Sequence, residues 1–204
     1  MFTSRLAKHI NEVRQRISRH QYDRTPNGLY FPAMHARAGG IYTEWANDEI
    51  EEAGIHDNLV TNEGLNYAVD VALLTGSQIA LASWFMALHS GVGPVLGTWT
   101  AANYTTNAVE IVATSPEGYS EANRQAWSGV ANTGNTSADN SAAPAVVTIV
   151  TAGSLSVNGA ALISSNVRGG GGGTLMGAVV YAATRVLGNG DLYNIQYEFD
   201  LNPA

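Results

Sequence analysis

The side chains that most often carry chemistry are few and scattered in this sequence. Five histidines stand at positions 9, 20, 35, 56 and 89, without the H-E-x-x-H spacing of a zinc site. Cysteine is absent, which excludes disulfides, thiolate metal sites and a cysteine nucleophile. No G-x-S-x-G nucleophile elbow occurs. His89 follows an apolar run, so we interpret it as a structural histidine that is hydrogen bonded inside the fold.

Two glycine-rich segments look like phosphate-binding loops only superficially. In Gly91–Gly97 the third glycine comes one place late for a dinucleotide fingerprint, Pro94 interrupts the spacing and no helical pattern follows. The run Gly169–Gly173 lacks the Lys-Ser/Thr of a phosphate loop. Its backbone amides could form an anion-binding nest, but a low-complexity glycine run is more typical of a flexible hairpin loop.

Carboxylates are the remaining candidates for chemistry. The most acidic stretch contains Glu44, Asp48, Glu49, Glu51, Glu52 and Asp57. It lacks the oxygen register of a calcium loop, so we predict a solvated hairpin face or a surface complementary to basic residues. Glu110, Glu117 and Glu121 are spaced closely enough to be considered for the carboxylate pair of a glycoside hydrolase. No complete constellation emerges, and we expect no catalytic residue, no metal and no cofactor.

Charge is divided unevenly along the 204 residues. Residues 1–37 contain seven of the ten Lys and Arg residues and two acids, a net charge of +5. Residues 38–204 contain only Arg124, Arg168 and Arg185 against 15 acids, a net charge of −12. Charged residues make up 13% of the chain, about half the usual ~25%. A weakly charged surface suits a protein that is packed into an assembly.

Residues 1–40 are predicted to form a basic helix and an extended arm. Leu6, Ile10, Val13 and Ile17 lie on one stripe of a helix over residues 3–20. Residues 21–40 are rich in Pro, Gly and aromatic residues, which is typical of extended or turning chain. This segment is either an arm that lies along a surface or a flexible linker. The residues that we expect to contact a partner are Arg14, Arg16, Arg19, Tyr22, Tyr30 and Phe31.

The basic helix has four possible contacts: its own domain, a partner subunit, nucleic acid or a membrane surface. No aromatic residues interleave its arginines, which disfavours nucleic acid. Trp is missing from its apolar side and Glu12 interrupts its polar side, which disfavours a membrane. Docking on a partner or packing on its own domain is therefore the favoured interpretation.

Residues 41–204 are predicted to be mainly β, an antiparallel β-sandwich or jelly roll with one embedded helix at 61–75. Thr61 or Asn62 caps that helix and Gly76 ends it. Its predicted buried stripe is Leu65, Val69, Ala72 and Leu73. Strands are predicted at 41–45, 50–60 (broken at Gly54), 84–88, 109–112, 125–130, 145–150, 159–163, 175–181 and 193–201. The last of these alternates strictly between apolar and polar residues, as a half-buried strand does.

Seven short segments of the body, taken in order along the chain, form a pattern. They are NLVTNEGLN (58–66), WFMAL (84–88), TWTAANY (98–104), YSEANRQAW (119–127), DNSA (139–142), GTLMGA (173–178) and Gly190-Asp191. Together these segments resemble a family of tailed-bacteriophage virion structural proteins over about residues 40–200. The resemblance implies a virion component, assembled in the host cytoplasm, and no catalytic residues.

With the divided charge, this resemblance predicts a capsid decoration (cement) protein that binds across major capsid subunits through its arm. Self-association as a dimer or trimer is expected. The alternative is a tail or neck component, a fibre-base or adaptor protein that docks on portal or tail proteins. A virion glycan hydrolase and a nucleic-acid binder are less favoured classes. The sequence has no 18-residue apolar run and no apolar signal-peptide core, so neither a spanning helix nor secretion by that route is expected.

Overall fold

A computed structural model of the chain describes residues 22–24, 30–32, 36–47, 54–74, 76–131 and 137–203. The predicted helix at 3–20, with Arg14, Arg16 and Arg19, lies outside these residues. The chain divides into two compact units, Met1–Arg37 with Leu201–Ala204, and Ala38–Asp200. The predicted boundary between arm and body, at residue 40, falls within a strand that runs from Ala36 to Ala46.

Among the described residues of the first unit are two short antiparallel strands, β1 (Tyr22–Arg24) and β2 (Tyr30–Pro32). Tyr22 lies opposite Pro32, and Arg24 lies opposite Tyr30. Residues 22–24 and 30–32 of the predicted arm are therefore extended chain and paired with each other, while its residues 36–40 belong to the strand Ala36–Ala46.

The body contains twelve strands and two helices in the described ranges. The strands are β3 (Ala36–Ala46), β4 (Gly54–Asp57), β5 (Leu59–Val60), β6 (Phe85–His89), β7 (Gly118–Tyr119), β8 (Gln125–Ala126), β9 (Val130–Ala131), β10 (Ser137–Asp139), β11 (Ala145–Val150), β12 (Leu155–Ile163), β13 (Leu175–Leu187) and β14 (Leu192–Pro203). The helices are α1 (Asn62–Leu73) and α2 (Ala101–Ala108), and a 3-10 turn spans Leu81–Ser83.

These strands form two sheets, and the mainly β, sandwich-like fold is confirmed. One sheet has the order β4-β3-β14-β10-β9, and β11 joins β14 and β7 beside it. The other has the order β5-β13-β12-β6-β8. The two sheets share one core, with Tyr193, Ile195 and Tyr197 of β14 in the same apolar cluster as Met86 and Leu88 of β6. The alternation of apolar and polar residues predicted for the last strand is therefore present in β14, where the apolar residues face this core.

A second apolar layer covers the outer face of the five-stranded sheet. There α2 packs Tyr104 and the preceding Trp99 onto small residues, including Ala87 and Ala161. Burial on both faces explains the continuous apolar run of β6. This second helix was not predicted, and the strand predicted at 109–112 is wrong. Val109 ends α2 in the left-handed conformation (φ 54°), and Glu110 makes only an isolated bridge to His89.

The helix α1 begins where the sequence predicts but turns a different face to the sheet. Thr61 caps it by accepting a hydrogen bond from the Gly64 amide at 3.1 Å, and its hydroxyl donates to the Leu175 carbonyl at 2.5 Å. The predicted buried stripe is wrong, because Leu65, Val69, Ala72 and Leu73 are exposed, with Leu73 at 78%. The residue that packs closest is Gly64, which is buried against β13.

Replacing Gly64 with alanine is expected to destabilise the protein by about 2 kcal/mol. In an exposed helix interior the same change stabilises by about 1 kcal/mol. Here a Cβ would lie 2.2 Å from the Met176 carbonyl oxygen, a backbone atom that cannot move aside cheaply. Urea unfolding measures the difference. The control is Asn66→Ala on the exposed side of α1, which should be neutral or slightly stabilising. A Gly64→Ala protein as stable as the wild type would refute this close approach.

Candidate functional site

The structure brings part of the predicted partner-binding set together. Tyr22, Tyr30 and Phe31 all lie in the β1–β2 pair, where Phe31 is opposite Asp23 and Tyr30 opposite Arg24. The arginines at 14, 16 and 19 lie outside the described residues. Three of the six paired positions of β1 and β2 are therefore aromatic residues of the predicted set.

In the body, Arg124 is committed to a buried ion pair. Its Nε donates to Glu110 Oε1 at 2.7 Å and its Nη2 to Glu110 Oε2 at 2.8 Å, with both side chains excluded from solvent. The same guanidinium donates to the carbonyls of Ser165 (3.0 Å) and Gly170 (3.2 Å). Thr105 adds a hydroxyl donor to Glu110 at 2.8 Å. Such a bidentate, fully hydrogen-bonded pair fixes geometry between distant segments.

Arg168 is committed to backbone carbonyls. Its Nη1 donates to the carbonyls of Tyr119 (3.1 Å) and Glu121, and its Nη2 to those of Ile111 (3.3 Å) and Ala113. The guanidinium carbon lies 3.6 Å from the centre of the Tyr119 ring, a cation–π contact. Burial raises the pKa of Tyr119 to about 12, although the neighbouring Arg168 charge opposes that shift. The hydroxyl of Tyr119 is therefore uncharged at neutral pH.

Arg185 pairs with a carboxylate that the sequence placed on a solvated face. Its Nε donates to Glu44 Oε1 at 2.6 Å, and Glu44 is only 1% exposed. The His56 Nε2 lies 3.4 Å from the same oxygen, and the His56 ring stacks on Tyr181 with centroids 4.4 Å apart. For Glu44, the predicted solvated hairpin face is therefore wrong. A short-range charge pattern could not reveal Arg185, which is 141 positions away in the sequence.

All three cations of residues 38–204 are thus engaged inside the body. Acids such as Asp57, Asp70 and Glu117 are exposed. The described body accordingly turns acidic and neutral side chains outward, while the sequence concentrates basic residues in positions 1–37. The chain therefore divides its charge in sequence between the basic residues 1–37 and the acidic residues 38–204.

The glycine run forms a hairpin loop between β12 and β13, as predicted, and its first two residues are anchored. The Gly169 amide donates to Glu110 Oε2 at 3.1 Å, and the Gly170 carbonyl accepts from Arg124. Gly169 adopts φ +71°, a conformation that favours glycine. The Gly169 amide, which could bind an anion in a nest, therefore already binds the Glu110 carboxylate of the protein itself.

His89 is a structural histidine, as predicted. Its Nε2 lies 2.9 Å from the Val179 carbonyl oxygen and its Nδ1 3.3 Å from the Gly91 carbonyl oxygen. Burial lowers the pKa of His89, while these two hydrogen bonds and the Glu110 charge oppose the shift. Its ring edge meets the Tyr104 ring, which links β6 to α2.

The three carboxylates considered for hydrolysis each accept hydrogen bonds from the fold. Glu110 is bound by Arg124, as described above. Glu117 accepts from the Thr151 hydroxyl at 2.5 Å and from the Ala152 amide at 3.2 Å. Glu121 accepts from the Thr148 amide at 3.1 Å. These contacts tie loops to strands, which is a structural use of the three side chains.

A cleft of about 300 Å³ opens where the ends of β3 and β13 meet the start of β14. Its walls are formed by Glu44, Trp45, Ala46, Asn47, Thr184, Arg185, Val186, Leu187, Asp191 and Tyr193. Asp191 accepts from Asn47 Nδ2 at 2.9 Å and from the Gly188 amide at 2.6 Å, and both hydrogen bonds lower its pKa. Sequence reasoning missed this cleft because its walls come from segments about 140 residues apart.

Within the described ranges, no group of three or more His, Asp or Glu side chains is arranged to hold a metal ion. No helix of the described part of the chain has the length and apolar character needed to cross a membrane. Comparison with protein-family models, curated proteins and solved structures gave no match.

Proposed function

We propose that the protein is a capsid decoration (cement) protein of a tailed phage. The body sits on the outside of the head, and residues 1–40 reach across neighbouring major capsid subunits. The division of charge carries this proposal: the arm is +5 and the body −12, while the three body arginines are used in internal contacts. A basic arm is suited to binding an acidic partner surface, because the two surfaces carry complementary charge.

The arm also supports multivalent attachment. Arg14, Arg16 and Arg19 offer charge-assisted contacts, and the aromatic residues of the β1–β2 pair offer apolar anchors. Contacts to more than one capsid subunit raise the effective affinity without any strong single contact. A dimer or trimer of the body multiplies this effect, because each protomer contributes one arm.

Binding is better supported than hydrolysis. Glu110, Glu117 and Glu121 hold loops and strands together, and a glycoside hydrolase would need two carboxylates facing each other across an open cleft, roughly 5–10 Å apart. No hydrolysis of host polysaccharide by the purified protein is expected.

The copy number per particle tests the proposed location. We expect hundreds of copies in phage particles that encode the chain, because a decoration protein follows the lattice of the head. Quantitative mass spectrometry against the major capsid protein measures this number. About six to twelve copies, or a few multiples, would replace the head assignment with the tail or neck alternative. Absence from purified particles would contradict both.

A further inference from the structure

The helix α1 has an apolar face that is exposed in the described part of the chain. Leu65, Val69 and Leu73 recur every four residues, so they lie on one side of the helix. Their exposed fractions are 39%, 51% and 78%. Single exposed apolar side chains are common on protein surfaces, but three in register along one helix form a continuous stripe. A continuous apolar surface is typical of a contact with another protein.

The inner face of α1 explains why this stripe lies outside the core. Gly64 is buried against β13, and Tyr67, Ala68 and Val71 are half-buried on the same side of the helix. Tyr67 also packs edge-on against Trp84, with ring centroids 5.6 Å apart. The helix is therefore apolar on its outer side as well as on the side that contacts the sheet. This pattern is typical of a helix that is covered on both sides.

The stripe is uncharged, although residues 38–204 carry a net charge of −12. The two acids of α1 are both directed elsewhere. Glu63 accepts hydrogen bonds from the Ala101 and Leu175 amides, at 2.8 and 2.7 Å. The Asp70 carboxylate lies at the turn that follows the helix, where a Cβ on Gly76 would be 2.4 Å from Asp70 Oδ2. Two bodies of the same net charge can therefore approach each other at the stripe without bringing charged groups together.

We propose that this stripe pairs with the same stripe of a second copy of the chain. Leu65 and Leu73 lie four residues on either side of Val69. An antiparallel pair of α1 helices with its two-fold axis at Val69 therefore places Leu65 of each copy against Leu73 of the other. Rows of side chains four residues apart interdigitate in the commonest class of helix packing. This inference does not rest on attachment to a head, and it adds the surface through which two bodies associate.

The size of the stripe predicts a weak dimer. The helix α1 has 12 residues, so it is about 18 Å long and about 10–12 Å wide. Two such helices bury less area than the roughly 1,200–2,000 Å² of a stable protein complex. We therefore expect a dissociation constant in the micromolar range. It should change little between 50 and 500 mM sodium chloride, because salt screens charges and this contact is apolar.

Sedimentation velocity of the full-length protein over about 1–300 μM tests the pairing. The wild type should shift from monomer to dimer at both salt concentrations. Val69→Lys places two like charges on the two-fold axis and should raise the dissociation constant at least 20-fold. It should leave the monomer as stable as the wild type, because Val69 is half-exposed and lysine is the better helix former. The matched control is Val92→Lys, at a loop valine that is 74% exposed, and it should dimerise like the wild type.

A single introduced thiol tests the two-fold geometry, because the chain has no cysteine. In Val69→Cys the two thiols face each other across the axis, and the oxidant diamide should join them in an intermolecular disulfide. Val92→Cys should be cross-linked at least tenfold less. Four results would each overturn the proposal: a wild type that is monomeric at about 300 μM, a dimer that Val69→Lys leaves intact, equal cross-linking of both thiols, and a dimer lost at 500 mM salt, as expected for binding through the basic residues 1–37.

Discussion

Replacing Arg124 with methionine is expected to lower the free energy of unfolding by about 3–5 kcal/mol. The change leaves the Glu110 carboxylate buried without its cation, and it removes the donors that reach the carbonyls of Ser165 and Gly170. An unpaired buried charge costs several kcal/mol, whereas most surface substitutions stay within about 0.5 kcal/mol. We expect the glycine loop at 169–173 to lose its anchor at the same time.

Urea unfolding followed by tryptophan fluorescence measures this effect. Arg124→Lys keeps the charge but cannot make the two parallel hydrogen bonds to Glu110, so it should fall between the wild type and Arg124→Met. Asp70→Asn removes an exposed charge and should change stability by less than about 0.5 kcal/mol. A loss below about 1 kcal/mol in Arg124→Met would show that the ion pair does not hold this part of the fold together.

The two-residue alternation of the last strand predicts the structure correctly, as do the bounds of one strand and the start of one helix. The alternation in β14 predicts which of its side chains face the core, because successive residues of a strand point to opposite faces. The strand at 145–150 has the same bounds in the sequence and in the structure. Thr61 fixes the start of α1, since a capping hydroxyl is a local feature.

Features set by distant partners were not predictable in this way. The apolar spacing of α1 shows that one face is apolar, but the Gly64 contact with β13 decides which face is buried. The helix α2 is eight residues long, and its stability comes from Trp99 and Tyr104 packing on the sheet. The sequence predicts a solvated face for Glu44 because the residues near it in the chain are acidic. Arg185 and Tyr193 are distant in sequence and come close to Glu44 only when the strands are assembled in the fold.

Reversing the charge of the arm should reduce head binding at least 100-fold. The variant is the triple substitution Arg14→Glu, Arg16→Glu and Arg19→Glu in the full-length chain, and it changes the net charge of residues 1–37 from +5 to −1. Three attractive contacts are replaced by repulsive ones, and a loss of about 2.7 kcal/mol corresponds to a factor of 100 in affinity. The substitutions lie outside the compact unit Ala38–Asp200, so circular dichroism should show an unchanged body.

A matched variant separates charge from shape. The triple substitution to lysine keeps +5 in the arm and should bind within a few fold of the wild type. Raising the salt concentration should weaken the wild type and the lysine variant alike, since exposed charge pairs are screened. Replacing Tyr22, Tyr30 and Phe31 with alanine tests the apolar anchors separately, and a smaller loss is expected because the charged contacts remain.

The most direct test of attachment through the arm is the equilibrium binding of the full-length protein to phage heads that lack it, measured by co-sedimentation at 150 mM salt. We expect saturable binding of the wild type, near-wild-type binding of the lysine variant and at least a 100-fold loss for the glutamate variant. Undiminished binding of the glutamate variant, or no binding of the wild type to heads, would contradict the claim that a basic arm attaches this protein to a capsid.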